Sequence, residues 1–202
     1  TSFSFMLVAH PATPVHDARD LIALAKARPG YLTYGSTGIG SAFHLAGELF
    51  SSLANVKMLH VPYRGGGSAA ITDLVGGRVD LMWDALAVVR PQLQIGKIKA
   101  VGVTGLKRAA VLPDVPTIAE SGLPNYEMIG WHGMLAPATT PREIIDRLNG
   151  AVAKVLASPD IRQLWASQNM EIVPTTPAQF GEQIRREHGR YGKLIRDAGI
   201  KL

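Results

Sequence analysis

The sequence contains no cysteine, which removes disulfides, thiolate metal ligands and cysteine nucleophiles together. It has no apolar run long enough to cross a bilayer. The longest, such as Phe5 to Ala9, falls far short of the ~20 residues a membrane helix needs. The histidines, at 10, 16, 44, 60, 132 and 188, include no His-x-x-x-His pair and no His-Glu-x-x-His helix, so their spacing offers no zinc site. Aromatics make up only 6% of the chain, and they do not interleave with basic residues. The formal charge of +5 is dispersed. Its one concentration, Arg185, Arg186, His188, Arg190 and Lys193, shares a helix with Glu182, Glu187 and Asp197 and reads as a solvated face. Nucleic-acid binding, which needs a clustered basic face, is therefore not expected.

What is present is an ordinary globular composition: 202 residues, 47% apolar and 18% charged, with no bias toward disorder. That length suits one large domain or two small lobes. The chain opens at Thr1 without an initiator Met, as a processed or trimmed chain does.

Strand-like and helical patterns alternate. Ser4–Ala9 reads as a strand and about Val15–Ala27 as a helix that Pro29-Gly30 stops. Tyr31–Tyr34 is a short strand, followed after a Gly-rich turn by a helix to about Leu53. Lys57–Pro62, Val79–Trp83 and Lys99–Thr104 read as further strands, separated by helices over Ala69–Val75 and Ala85–Gln94. This order predicts an α/β fold with a largely parallel sheet. After the Pro-rich connection through Pro113, Pro116 and Pro124, Tyr126–Ala136 reads as extended. Thr140-Pro141 and Thr176-Pro177 both look like an N-cap followed by proline at the first helical position. Ser158-Pro159 opens another short helix, Ile172-Val173 looks like a strand, and the last helix ends near Gly199. This second part has too few strands to form an α/β domain alone.

In open parallel sheets, ligands bind beyond the carboxyl ends of the strands. Two loops fall there, residues 35–41 and 63–68, both rich in Gly and hydroxyl residues and both leading into helices. The first N–H groups of a helix lack internal partners, and with the helix dipole they favour an anion. The hydroxyls of Thr37 and Ser41, or the amides of Gly38, Ile39 and Gly40, can hold a carboxylate in this way. The plainer reading, that these are well-capped turns, stands beside it. His44 either turns toward a bound anion or packs beside Phe43 and Leu45. Trp131-His132 lines a cleft or packs. Asp84 either N-caps the helix that follows it or accepts an amino or hydroxyl group from a ligand.

The enzyme readings of these loops are weaker. Neither has the Gly-Lys-Ser/Thr ending of a phosphate-binding loop, and Gly35, Gly38 and Gly40 do not make a dinucleotide fingerprint. Gly66-Gly67-Ser68-Ala69-Ala70 has some likeness to a hydrolase nucleophile elbow. It would need Asp84 and His132 brought to Ser68, and nothing in the sequence places them.

Several motifs occur together and in order. They are Tyr34-Gly35-Ser36-Thr37-Gly38-x-Gly40-Ser41-x-x-His44, Val61-Pro62-Tyr63-Arg64-Gly65-Gly66-Gly67, and Leu74-Val75-Gly76-Gly77-Arg78-Val79-Asp80. The run from Leu112 to Gly122 comes next, then Trp131-His132-Gly133, Ala136-Pro137 and Thr140-Pro141. Together they resemble the Bug (TctC-like) receptors, the extracytoplasmic substrate-binding proteins of tripartite tricarboxylate transporters, across essentially the whole chain. The resemblance implies a periplasmic-binding-protein type II-like α/β fold of two lobes. Lobe two, residues 9–126, is expected to be complete. Residues 1–8 and 127–202 are expected to be a hinge strand and the returning part of an incomplete lobe one, because the family's N-terminal segment is absent. Self-association through that lobe is a further expectation.

The resemblance also implies a periplasmic protein that is not an enzyme and that captures a small carboxylate for membrane permease subunits, with no cofactor, metal or catalytic residue. Ser36, Thr37, Gly38, Gly40, Ser41 and His44 match the family's first ligand loop, and Tyr63, Arg64, Gly65 and Gly66 its second. Asp84 matches a position near the cleft. A sensor of the same fold, or a serine hydrolase using Ser68, are the alternatives. Asn169 stands where the family commonly has Gly, and asparagine tolerates the left-handed conformation.

Overall fold

The computed structural model describes residues 1–201. Its elements run β1 (Ser2–Ala9), α1 (Ala18–Ala27), β2 (Thr33–Ser36), α2 (Ala42–Ala54), β3 (Leu59–Pro62), α3 (Gly67–Val75), β4 (Leu81–Ala85), α4 (Leu86–Gln94), β5 (Lys99–Val103), β6 (Ile129–Trp131), α5 (Arg142–Ala157), α6 (Pro159–Ser167), β7 (Met170–Glu171) and α7 (Pro177–Asp197). The main sheet has the order β3-β2-β4-β1-β5.

Only part of that sheet is parallel. β2 runs parallel to β3 and β4, as the βα alternation predicts. β1 runs antiparallel to both its neighbours, β4 and β5, which corrects the expectation of a largely parallel sheet. β1 is long enough to serve two sheets. Met6–Ala9 lies between β4 and β5, whereas Ser2–Ser4 pairs with β6 on one side and Ser2–Phe3 with β7 on the other.

The period of two along the strands sorts the core onto two faces. Phe5, Leu7 and Ala9 of β1 and Leu81 and Trp83 of β4 join α1 and α2 in one cluster. Met6, Val8 and Met82 point the other way and join α3 and α4. Helices thus cover both faces of residues 9–126, the architecture that βα alternation demands. α1 begins at Ala18 rather than Val15 because Asp17 caps it, its side chain accepting the Asp20 N–H at 3.0 Å. Side-chain hydrogen bonds account for other motif residues too. Asp80 accepts both the N–H and the hydroxyl of Thr33 at 2.8 Å, tying the approach to β4 onto β2. Thr117 and Glu120 exchange side chain-to-backbone hydrogen bonds in the Pro-rich connection, and Arg108 grips Glu120.

Thr104 marks where the chain leaves this unit. Its buried hydroxyl accepts the Phe5 N–H at 2.7 Å and donates to Met128 O at 2.6 Å. Beyond it, only Ile129–Trp131 of the expected extended segment 126–136 forms a strand. Thr176 and Gln179 form the capping box expected at α7. The parallel expectation at α5 is corrected. Pro141 occupies the N-cap position, and its carbonyl takes the Ile144 and Ile145 N–H groups, so the helix starts one residue later, at Arg142. β7 falls at Met170–Glu171, just before the expected Ile172-Val173, and Asn169 ahead of it is left-handed at φ 57°. α5 and α6 bury no residue. A cavity of about 410 Å³ lies between β6, α5 and α7, lined by residues such as Trp131, Leu148, Val152 and Phe180.

Candidate functional site

The parallel register β3-β2-β4 brings three βα turns to one edge: Ser36 lies beside Pro62, and Gly35 beside Met82. The loops 36–41 and 63–66 and the turn at Asp84–Ala85 therefore share one end of the sheet. The Tyr63 N–H donates to Ser36 O at 2.9 Å, tying the first two loops together. The structure thus gathers all the sequence-expected positions, from Ser36 to His44, from Tyr63 to Gly66, and Asp84, along one edge.

Their side chains divide into committed and uncommitted groups. Ser36 is buried, and its hydroxyl accepts the Gly38 N–H at 3.2 Å and meets His60 Nε2 at 2.7 Å. Ser41 caps α2 by accepting the His44 N–H. His44 does not turn outward. Its Nδ1 accepts the Gly40 N–H at 3.0 Å, which leaves the proton on Nε2, facing Glu48 Oε1 at 3.7 Å. The Tyr63 hydroxyl donates to Asp73. The amides of Gly38 and Gly40, expected to be free, are thus spoken for within the loop. The amides of Thr37 and Ile39, the Thr37 hydroxyl and the exposed Arg64 side chain make no hydrogen bond among the described residues.

A layer that sequence reading missed lies beneath this loop. His44 and His60 stack with centroids 3.7 Å apart, and Tyr34 stacks on His60 while donating to Glu48. Burial, and then the neighbouring His44, push the His60 pKa down to about 4. Burial also lowers that of His44. At neutral pH both rings are uncharged and act as rigid support. The His44-x-x-x-Glu48 helical spacing was a legible signal for part of this layer; His60, on a separate strand, had none.

The second and third turns differ from the first. Gly66 and Ala85 are the N-cap residues of α3 and α4, and neither supplies a side-chain cap. Gly66 has φ 76°, a conformation glycine adopts without the Cβ penalty of other residues. The reading of Asp84 as an N-cap is corrected. It is the penultimate residue of β4, it is buried, and its Oδ1 accepts the N–H of the adjacent Ala85 at 2.7 Å rather than an amide in the helix. Burial raises its pKa to about 6, against the opposing effect of that hydrogen bond. The hydrolase grouping is not assembled either. Ser68 is the second residue of α3, while the backbone of His132 is bonded to Thr1 beyond the far end of β1.

This geometry, an edge where unpaired amides and helix starts favour an anion, accompanies a sequence match. Residues 1–200 match the tripartite tricarboxylate transporter family receptor. The chain belongs to this family. It is a family of receptors, not of enzymes. The chain is 39% identical over 191 residues to a UPF0065 protein in the tcbD-tcbE intergenic region of Pseudomonas sp. (strain P51), covering 94% of this chain and 56% of that one. Among solved structures, Rpa4515 of R. palustris with adipate has a TM-score of 0.89 at 36% identity, covering 98% of this chain and 66% of that one. The periplasmic binding protein BugD has a TM-score of 0.85 at 31% identity, covering 99% and 67%. The receptor fold expected from the sequence, a partial periplasmic-binding-protein α/β fold, is thus the observed one. The chain spans about half the length of the curated relatives it matches.

Proposed function

We propose that this receptor chain supplies one wall of a periplasmic binding cleft that captures a small carboxylate for the permease subunits of a tripartite tricarboxylate transporter. In this reading residues 9–126 form lobe two. Residues 1–8 and 127–202 are the hinge strand and the returning part of lobe one. The ligand sits over Ser36, Thr37, Gly38, Gly40, Ser41 and His44 of the first loop and Tyr63, Arg64, Gly65 and Gly66 of the second, beside Asp84. The observation that carries the reading is that the loop holding the unpaired Thr37 and Ile39 amides shares one sheet edge with the uncapped starts of α3 and α4. Unpaired amides and helix dipoles together make a site for negative charge. The solved neighbour with adipate supports a carboxylate as that charge. Ser36, Ser41 and His44 hold the loop's shape, so the ligand contacts fall to backbone amides and the Thr37 hydroxyl.

A thermal-shift and calorimetric screen of the purified protein with adipate, citrate, aspartate and benzoate tests this. At least one is expected to raise the melting temperature by several degrees, since saturation at 100 times Kd adds about 2.7 kcal/mol. No response to any of the four would overturn the carboxylate reading.

A further inference from the structure

Asp84 is the one group at this edge whose chemistry runs against an anion site. It is 2% exposed, and its Oδ2 has no hydrogen-bond partner among the described residues. That oxygen stands 2.9 Å from where a Cβ on Gly67 would lie, and the same point is 3.8 Å from both Thr37 Cγ2 and Val88 Cγ1. Oδ2 therefore faces the first residue of α3, between the Thr37 loop and the first turn of α4. Both helices are nine residues long and start without a side-chain cap. A carboxylate drawn to those helix starts arrives beside a carboxylate already there. Two such groups in contact do not both stay ionised, and they hold one proton between them.

We propose that Asp84 meets the bound carboxylate as a neutral acid, its Oδ2–H donating to a ligand oxygen, so that capture of the anion takes up one proton. The inference rests on the carboxylate-receptor reading above. The proton comes from solvent and forms the Oδ2–H bond. The ligand keeps its charge, and the proton offsets one of the negative charges it brings into the site.

The surroundings leave this role to Asp84. The titratable groups on the elements packed around it are occupied elsewhere. On α2, His44 and Glu48 serve Gly40 and Tyr34. On α3, Asp73 holds Tyr63 and Arg78, and on α4, Arg90 donates to Ser167 O. Arg64 is exposed, and β1 places Met6 opposite Asp84. Burial alone raises Asp84, only the Ala85 N–H opposes it, and the resulting value of about 6 leaves the free protein mostly ionised at pH 7.5. The proton must then be gained on binding.

Calorimetry of adipate, citrate, aspartate and benzoate at pH 7.5, in phosphate and in Tris, reads the proton count from the difference in apparent enthalpy. The expected result is about one proton taken up per ligand bound, with Kd weakening about tenfold per pH unit from pH 7 to 8.5. Asp84→Asn, whose amide also donates, is expected to bind within about tenfold of the parent, with neither the uptake nor the pH dependence. Binding without proton uptake, or uptake that persists in Asp84→Asn, overturns the inference and leaves the receptor reading standing. Failure of all four compounds to bind at both pH 5.5 and pH 7.5 removes the receptor reading itself.

Discussion

Residues 1–126 and residues 127–201 are built from the same elements, yet they bury very different amounts of side chain. In the first region both faces of a five-stranded sheet are covered, and the side chains of Tyr34, Phe50, Leu74 and Trp83 are fully enclosed. In the second, the only buried hydrophobic side chains among the described residues are Met128 and Leu194. α5 is strongly amphipathic, but its Ile144, Leu148 and Val155 lie exposed. An apolar helical stripe contributes little until a partner covers it. Amphipathic patterning thus specifies a helix's inward face, and burial depends on what the rest of the fold brings to meet it.

Paired truncations test the contrast most directly. Leu21→Ala in α1 removes a side chain that is 0% exposed and is expected to cost about 2–5 kcal/mol. Leu148→Ala in α5, at 42% exposed, is expected to cost less than about 0.5 kcal/mol. Urea midpoints at constant m-value compare them, and similar losses would break the distinction.

Asp84 sharpens it from the other side, as a charged group inside the well-packed region. Its folded pKa, about 6, lies above its ordinary value of 3.8, so the folded state holds the proton more tightly than the unfolded one. Stability is lost as pH rises through that window and the deficit persists above it. Asp84→Asn is accordingly expected to stabilise the protein by on the order of 2 kcal/mol at pH 7.5 and by little at pH 4. Thermal melts at the two pH values distinguish this from a pH-independent packing effect. A smaller change than that at Asp84 is expected in the sparsely buried region. Thr176→Ala removes the α7 capping box and is expected to cost about 1 kcal/mol, with far-UV circular dichroism showing fraying at the start of α7.

Much of this was legible in the sequence because much of it is local. The alternation of period-2 and period-3.6 runs located the main-sheet strands and their helices to within a few residues, and Thr176-Pro177 announced its own cap. β1 shows where locality fails. Its run Phe3-Ser4-Phe5-Met6-Leu7-Val8-Ala9 reads as a strand, but nothing in it states that both main-sheet partners are antiparallel or that its first residues belong to another sheet. The candidate loops were visible through their glycines. Which amides remain unpaired was not, because that depends on His44 and Ser36 folding back onto Gly40 and Gly38. The capping alternative for Asp84 fails for a similar reason. A carboxylate just before a helix suggests a cap, but the strand continues through Ala85 and holds the side chain in the interior.

The double membership of β1 also bears on the order in which the molecule comes together. Ser2 and Phe3 pair with Glu171 and Met170, partners almost the whole chain away. Those pairings close the longest loops in the fold, which are entropically costly and slow to form. During synthesis the sheet of residues 1–126 has all its strands long before β7 emerges, so one edge of Ser2–Phe3 stays open while the other half of β1 is already paired. Loop closure thus separates the two halves of β1: Met6–Ala9 finds its partners within residues 81–103, whereas Ser2–Phe3 completes its pairing only with the far end of the chain.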